Sequence, residues 1–284
     1  MKKKTGMVIV NYNDFLITKR LIDNIKDYKV LDKIVIVDNN STDDSFERLK
    51  ELESTKITII KNSSRHFSSG LNCGAKYLIK EIGPCNIILS NSDVIIKGEE
   101  DLRLLSSDIK NDIGVVGPVI DQHGEISRGW PMPTVGSEIL FNLPLISRFF
   151  RKKLLNYNEE HFKGDTTEVD VVSGCFFLVS SKLLEEVDFF DENTFLYYEE
   201  QIFSSKRMKT KFKCIIDNRV TILHDHSVTV DKAESKLNKY RILKSSQRYF
   251  VKEYLGANNF EMALLYITNK ISLGLMHIRC VFRR

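Results

Sequence analysis

The sequence lacks the cysteine patterns of disulfide-rich and zinc-binding proteins. Its 284 residues include five cysteines, an odd number, and no C-x-x-C pair. They are scattered along the chain, at Cys73, Cys85, Cys175, Cys214 and Cys280. Such spacing argues against a disulfide framework and against a structural zinc site. We therefore expect a protein of a reducing compartment, the cytoplasm.

Long apolar segments and glycine-rich nucleotide loops are also missing. Because no stretch approaches the 18 uncharged apolar residues typical of a transmembrane helix, none is expected. The apolar run Met7–Val10 behind the basic N-terminus is too short for a signal peptide. Neither G-x-G-x-x-G nor G-x-x-x-x-G-K-[ST] follows that run, so a dinucleotide or P-loop site is not expected. A net charge of +4 is too small to imply a nucleic-acid partner.

Short apolar runs alternate with helical patterns through the first third of the chain. The runs are Met7–Val10, Ile34–Val37, Ile57–Ile60 and Ile87–Leu89. Strands separated by helices form βαβ units, in which parallel strands are joined by right-handed crossovers. The sequence therefore predicts an α/β fold built on a parallel sheet.

Polar side chains follow three of these strands, at the point where each strand ends. They are Asn11 and Tyr12, Asp38 and Asn39, and Asn91 and Asp93. In an open parallel sheet the carboxyl ends of the strands form the edge where ligands bind. These side chains are therefore candidates to hold a nucleotide. Asp93 is either a metal ligand or a turn residue, since Ser-Asn-Ser-Asp is also ordinary turn chemistry.

The second half of the chain offers two acids and a histidine. Glu199 and Glu200 follow the apolar and aromatic segment Phe195–Tyr198. Apolar surroundings raise the pKa of a carboxylate and suit it to base chemistry, although one acid alternatively caps the next helix. His224 ends another apolar strand and is a second candidate metal ligand. Trp130 lies in a predicted loop, where it either stacks on a sugar or packs against the protein.

The order of these pieces resembles the glycosyltransferase family 2 enzymes of the GT-A fold, and within them the rhamnosyltransferase-like bacterial branch. The matching segments are Val8–Asn13, Val37–Asp43, Asn72-x-Gly74 before a helix, Leu89–Val94 in the place of the DxD motif, Ser173–Leu178, Phe190–Glu192, Tyr197–Glu200 and His224. The resemblance implies an α/β, GT-A type fold. Such a fold has a Rossmann-like, mostly parallel central sheet flanked by helices, here followed by a helical C-terminal tail.

The resemblance also implies an inverting glycosyltransferase with a nucleotide-diphosphate sugar donor and a divalent metal, Mn or Mg. Its expected donor-binding residues are Asn11, Tyr12, Asp38, Asn39, Asn72, Asn91 and Asp93. Among them Tyr12 would face the base, while Asp38 and Asn39 would bond the base or the ribose. Asp93 and His224 would hold the metal on the diphosphate. Glu200, supported by Glu199, would deprotonate the acceptor hydroxyl.

Three positions depart from the family pattern. Asn91 replaces the first DxD aspartate, Glu200 replaces an aspartate one methylene shorter, and His66-Phe67 replaces Gly-Phe before the third helix. Two alternative functions stay open at this point. One is a non-catalytic sugar-nucleotide-binding relative, and the other is a sugar nucleotidyltransferase.

The resemblance divides the chain into three parts. Residues 1–97 form the nucleotide-sugar-binding half of the domain, residues 98–230 its acceptor-binding and catalytic half, and residues 231–284 a basic and apolar helical segment. That last segment either rests on an anionic inner membrane leaflet or packs on the domain. The expected donor is dTDP-rhamnose-like or a UDP-hexose. The expected acceptor is a glycan or lipid-linked oligosaccharide of a bacterial surface polysaccharide.

Overall fold

The computed structural model describes residues 3–144, 157–225 and 236–282, with side chains up to residue 279. The strands are β1 (Lys4–Asn11), β2 (Lys33–Asp38), β3 (Ile57–Lys61), β4 (Cys85–Asn91), β5 (Val94–Ile95), β6 (Ile113–Gln122), β7 (Glu125–Ser127), β8 (Thr166–Glu168), β9 (Phe176–Ser180) and β10 (Lys213–His224). The helices are α1 (Phe15–Ile25), α2 (Ser45–Lys50), α3 (Phe67–Ile82), α4 (Glu99–Asp108), α5 (Val135–Leu140), α6 (Ser181–Glu186), α7 (Glu199–Arg207), α8 (Lys236–Glu253) and α9 (Asn259–Phe282).

The strands form one sheet in the order β3-β2-β1-β4-β9-β6-β10-β5, with β7 on β6 and β8 on β10. Strands β1 to β4 are mutually parallel, as the alternation of strands and helices predicted. Strand β9 then enters antiparallel between β4 and β6, and β6 pairs parallel with β10. The predicted α/β fold is therefore confirmed. Strands from both sides of the predicted boundary at residues 97 and 98 belong to this one sheet.

The central strands are apolar at successive positions because helices cover both faces of the sheet. On β1, Met7 and Ile9 face one core cluster, whereas Val8 and Val10 face the other. The neighbouring strand β2 repeats this division with Ile34 and Ile36 against Val35 and Val37. Burial of each such side chain stabilises the fold by about 1.5–3 kcal/mol.

Helix α3 lies unusually close to the sheet because of Gly74. A Cβ atom at this position would lie 2.4 Å from Val8 Cγ1. The expectation that Asn72-x-Gly74 precedes a helix is wrong, because both residues lie within α3. The helix continues through this segment since Leu71, Ala75 and Leu78 supply a buried helical face.

The C-terminal helices α8 and α9 pack on each other and on α5. Phe250, Val251 and Leu265 form a small core with Ile202 of α7. Packing on the domain is therefore the arrangement of residues 236–282, and it brings α8 next to the segment that carries Glu199 and Glu200. Within the described ranges, no helix combines the length and hydropathy needed to cross a bilayer.

Candidate active site

A cavity of about 1210 Å³ opens at the carboxyl ends of β1, β2 and β4. Seven of the residues singled out in the sequence line it: Tyr12, Asn39, Asn91, Asp93, Glu199, Glu200 and His224. They come from segments separated by up to 212 residues, and the fold brings them to one edge of the sheet. Asn11, Asp38 and Asn72 lie outside the cavity wall.

Asn11 and Asp38 are fully buried beneath the cavity and bond each other. They are register partners on β1 and β2, and Asn11 Nδ2 donates to Asp38 Oδ2 at 3.0 Å. The Asp38 carboxylate also accepts from the backbone N–H and the hydroxyl of Ser41, at 3.1 and 2.5 Å. Thr18 Oγ1 donates to Asn11 Oδ1 at 2.7 Å. These bonds fix the loop after β2, so the two side chains are placed to support the cavity wall.

Asn39 and Tyr12 form the wall above that layer. Asn39 Nδ2 donates to the carbonyl of His66 at 3.0 Å, and Asn62 Nδ2 donates to Asn39 Oδ1 at 2.7 Å. The Tyr12 ring lies 5.2 Å from the guanidinium carbon of Arg65, a cation–π distance. Arg65 also lines the cavity, and the sequence analysis did not single it out. An aromatic ring beside a guanidinium suits a planar, electron-rich ligand.

Asn72 clamps the segment that leads toward the acids. Its Nδ2 donates to the carbonyl of Phe190 at 2.9 Å and to Glu192 Oε1 at 2.7 Å. The backbone N–H of Phe190 donates to Asn72 Oδ1 at 2.9 Å. All the polar groups of this side chain thus bond protein, which gives Asn72 a supporting position behind the cavity.

Asp93 and His224 meet where β5 pairs with the end of β10. His224 Nε2 lies 3.1 Å from Asp93 Oδ1, and the backbone N–H of Asp225 donates to the Asp93 carbonyl at 2.9 Å. Burial would lower the pKa of His224, but its hydrogen bonds to Asp93 and Cys175 raise that pKa to about 10. Gln122 Nε2 lies 3.1 Å from His224 Nδ1. A pKa of about 10 keeps the ring protonated at neutral pH, so a metal ion would bind His224 only by displacing the proton on Nε2.

The donor set fits a divalent cation in part. A carboxylate and an imidazole are ligands that Mn²⁺ accepts, and both side chains face the cavity. Among residues 3–144, 157–225 and 236–279, no group of three or more His, Cys, Asp and Glu side chains is placed to hold a metal. Two protein ligands would leave the other positions of such a cation to water or to a bound ligand.

Glu199 and Glu200 begin α7, and both are in low-dielectric surroundings. Glu199 Oε1 is buried and has no hydrogen-bond partner among the described residues. Burial and the charge of Glu200 raise the pKa of Glu199 to about 8. Burial also raises the pKa of Glu200. The Glu200 carboxylate lies over Gly174, 3.4 Å from the position that a Cβ would occupy there, so this glycine provides its space.

The far end of the cavity is formed by helices that the sequence analysis did not connect to the site. Glu138 of α5 and Lys244 and Gln247 of α8 line it. Burial lowers the pKa of Lys244 to about 8 and raises that of Glu138. Trp130 lines the cavity too and is half-buried, paired through its backbone with Val171. Its indole therefore borders the ligand space, as the stacking alternative requires.

Comparison with known proteins shows the family to which this chain belongs. The family model described as Glycosyl transferase family 2 matches residues 7–188. The low-salt glycan biosynthesis hexosyltransferase Agl10 of Haloferax volcanii is 22% identical over 282 residues, which is 98% of this chain and 85% of that protein. The family match ends before Glu199 and His224, so it covers Tyr12, Asn39 and Asp93 of the cavity wall but not its acid end.

Two solved structures share the fold at low sequence identity. GalNAc-T7, crystallised with UDP, GalNAc and Mn²⁺, superposes with a TM-score of 0.61 at 12% identity. The match covers 95% of this chain but only 55% of that one. TarS residues 1–349 of S. aureus, in complex with UDP-GlcNAc, gives a TM-score of 0.57 at 13% identity, covering 92% of this chain and 70% of that one. The fold is thus of the GT-A type.

Proposed function

The chain belongs to glycosyltransferase family 2 and is a glycosyltransferase, and from this premise we propose that it is a metal-dependent, inverting enzyme. It would move a sugar from a nucleotide-diphosphate donor to a hydroxyl of a glycan. The observation that carries the proposal is the single cavity into which Tyr12, the Asp93–His224 pair and Glu200 all project.

We place the donor at the sheet edge. Tyr12 and Arg65 offer a stacking surface for the base, and Asn39 offers an amide held in place by Asn62. Asn91 ends β4 and Asp93 follows it, and both lie next to where the diphosphate would extend. Asn11, Asp38 and Asn72 then contribute by fixing the loops that carry these groups, since their own polar atoms already bond protein.

Asp93 and His224 would hold the divalent cation against the diphosphate. The cation would neutralise the charge that develops on the leaving nucleoside diphosphate. The residues' own part is to present one carboxylate and one imidazole from two paired strands, and the imidazole would give up its Nε2 proton to the cation. The pairing of β5 with β10 fixes their separation before any ligand binds.

Glu200 would act as the base on the opposite side of the sugar. The acceptor oxygen attacks the anomeric carbon and forms the new bond, while the bond from that carbon to the diphosphate oxygen breaks. The electron pair of the broken bond leaves with the nucleoside diphosphate, and the hydroxyl proton passes to Glu200. A raised carboxylate pKa favours this transfer, because a hydroxyl proton is abstracted more readily by a stronger base. Glu199 would support Glu200 through the electrostatic interaction between the two carboxyl groups.

We propose a dTDP-rhamnose-like sugar or a UDP-hexose as the donor, and a surface-polysaccharide intermediate as the acceptor. Support comes from the relatives: Agl10 is named as a glycan biosynthesis hexosyltransferase, and TarS was solved with UDP-GlcNAc. Incubation with a panel of dTDP and UDP sugars and Mn²⁺, followed by detection of released nucleoside diphosphate, tests this proposal. Release with one donor class is expected, and no release with any donor and acceptor would contradict it.

We further propose that α9 rests on an anionic membrane surface. Phe260, Ile267, Ile271 and Ile278 are 72%, 54%, 46% and 51% exposed. Their spacings of 7, 4 and 7 residues place them on one helix face. The side chains of Thr268, Asn269 and Ser272 are buried instead, so α9 exposes apolar groups and buries polar ones.

Cations complete this pattern. Lys270 and Arg279 are exposed and sit about 80–100° to either side of the apolar stripe, given 100° per residue. This arrangement suits a helix that lies in the interface of an anionic bilayer. We expect salt-sensitive co-sedimentation with phosphatidylglycerol vesicles. An Ile267→Glu/Ile271→Glu variant should lose binding, and equal binding by that variant would contradict the proposal.

A further inference from the structure

The two residues before Glu199 have an unfavourable backbone conformation. Tyr197 and Tyr198 have φ angles of 72° and 71°, in the left-handed region that bulky residues rarely adopt. Two consecutive aromatic residues in this region store free energy, so the surrounding structure must hold them there. Their conformation sets the direction of α7, whose backbone bonding begins with the donation of the Ile202 N–H to the Tyr198 carbonyl at 2.9 Å.

The contacts that hold Tyr197 and Tyr198 in this backbone conformation come largely from the C-terminal helix α8. Ser246 Oγ donates to the carbonyl of Leu196 at 2.7 Å. The Tyr198 hydroxyl donates to Glu138 Oε2 at 2.6 Å, and Gln247 Nε2 donates to the same oxygen at 2.6 Å. The ring of Tyr198 packs on Phe250, with the ring centroids 5.3 Å apart.

A second set of bonds ties α8 to the start of the same segment. Asp191 Oδ2 accepts from the hydroxyl of Tyr249 in α8 and from that of Tyr254, the residue after the end of α8, at 2.8 and 2.5 Å. Helix α8 therefore contacts residues 191, 196 and 198, which lie immediately before the two acids. These contacts lie outside the region that the family match covers, which ends at residue 188.

We propose that α8 positions the Glu200 carboxylate, directly through Ser246 and indirectly through Gln247, which holds the Glu138 carboxylate that the Tyr198 hydroxyl bonds. Ser246 and Tyr198 are therefore positioning residues for Glu200. The proposal depends on the proposed function only for the role of Glu200. Without these two bonds, the segment Leu196–Tyr198 relaxes toward ordinary backbone angles. The start of α7 then shifts and moves the Glu200 carboxylate away from the acceptor hydroxyl.

The test compares Ser246→Ala, Tyr198→Phe and their double variant with Ser272→Ala. Ser272 bonds the hydroxyl of Tyr240, so its loss removes a bond between α8 and α9 that does not involve the segment Leu196–Tyr198. Ser246→Thr keeps a hydroxyl and serves as the rescue. Two readouts are taken: hydrogen exchange of the peptide spanning residues 192–204, and turnover with its KM for the donor.

We expect exchange in that peptide to rise about fivefold for each lost bond, and to stay unchanged in Ser272→Ala and Ser246→Thr. The double variant should lose about tenfold in kcat, with donor KM within twofold of wild type. Unchanged exchange in the double variant overturns the proposal, and so does raised exchange with normal kcat. If the double variant does not fold, the single variants decide by the same criteria.

The exchange measurement needs no substrate. If the wild type turns over no donor, the proposed function fails, whereas the exchange result still decides whether α8 holds the segment.

Discussion

The sharpest consequence of the site geometry concerns Glu200→Gln. Glutamine matches glutamate in size and would fit the space that Gly174 leaves for this side chain, so the variant should fold and pack normally. It cannot accept a proton. Loss of a positioned general base lowers turnover by about 100-fold or more, equivalent to about 2.7 kcal/mol of transition-state stabilisation.

The dependence of activity on pH supplies a second signature of the same residue. Burial raises the pKa of Glu200, and a base must be deprotonated to act. Wild-type kcat should therefore rise with pH through this raised pKa and fall on the acid side. The small remaining activity of Glu200→Gln should not show this fall on the acid side.

The assay is steady-state release of nucleoside diphosphate, together with donor affinity from calorimetry. Donor affinity should change less than twofold, because the proposed base would contact the acceptor and not the diphosphate. Ser205→Ala, which alters a half-buried position of α7 outside the cavity wall, serves as a control for general perturbation of the helix. Normal turnover of Glu200→Gln alongside an inactive Glu199→Gln would move the base by one residue. Normal turnover of both would refute the inverting mechanism.

Three further predictions follow from other parts of the molecule. Asp93→Ala should abolish Mn²⁺-dependent turnover, whereas the exposed Asp112→Ala remains active; full wild-type activity in excess chelator would contradict metal dependence. The pKa of Glu199 is about 8 in the folded protein against 4.5 for the unfolded chain, so its stabilising effect is complete below pH 4.5 and is lost as pH rises toward 8. The Tm of Glu199→Gln should accordingly gain on wild type between pH 5 and 9, and a constant difference would contradict this. Gly74→Ala should lower the free energy of unfolding by about 1–2 kcal/mol, because its Cβ would clash with Val8. Gly274→Ala lies in open space on α9 and should raise that free energy by up to about 1 kcal/mol. Urea titrations measure both changes, and equal effects would contradict the close packing of α3 at Gly74.

The half of the site that lies at the strand ends was predictable because its signals are local. Each apolar run defines a strand, and the residue that follows it must lie at the carboxyl edge of a parallel sheet. Tyr12, Asn39 and Asp93 reach the cavity for this reason. The same reasoning does not tell which neighbouring polar side chain points into the cavity. Asn11 and Asp38 were expected to bind the ligand, but they lie one layer below the cavity wall.

The position of Asn72 shows the limit of a motif without its periodicity. The motif Asn72-x-Gly74 suggested a helix start, whereas the buried spacing of Leu71, Ala75 and Leu78 carries α3 through it. The glycine serves close packing against Val8 instead of a turn.

The acid end was only partly predictable because its contacts are long-range. Glu138 and Gln247 meet 109 residues apart in sequence, and each alone looks like an ordinary polar residue on a helix. Lys244 belongs to a run of basic residues that indicates a solvated face, yet it is buried in the cavity wall. Orientation was equally hidden for β9, since its apolar run predicts a strand but not the antiparallel pairing with β4.

The central claim is that this cavity transfers a sugar with inversion at the anomeric carbon. The most direct test is NMR determination of the anomeric configuration in the product formed from a donor of known configuration, with Mn²⁺ present. A product whose configuration is opposite to that of the donor, formed by wild type and not by Glu200→Gln, is the predicted result. A product that retains the donor configuration would contradict the roles assigned to Glu200 and to the Asp93–His224 pair.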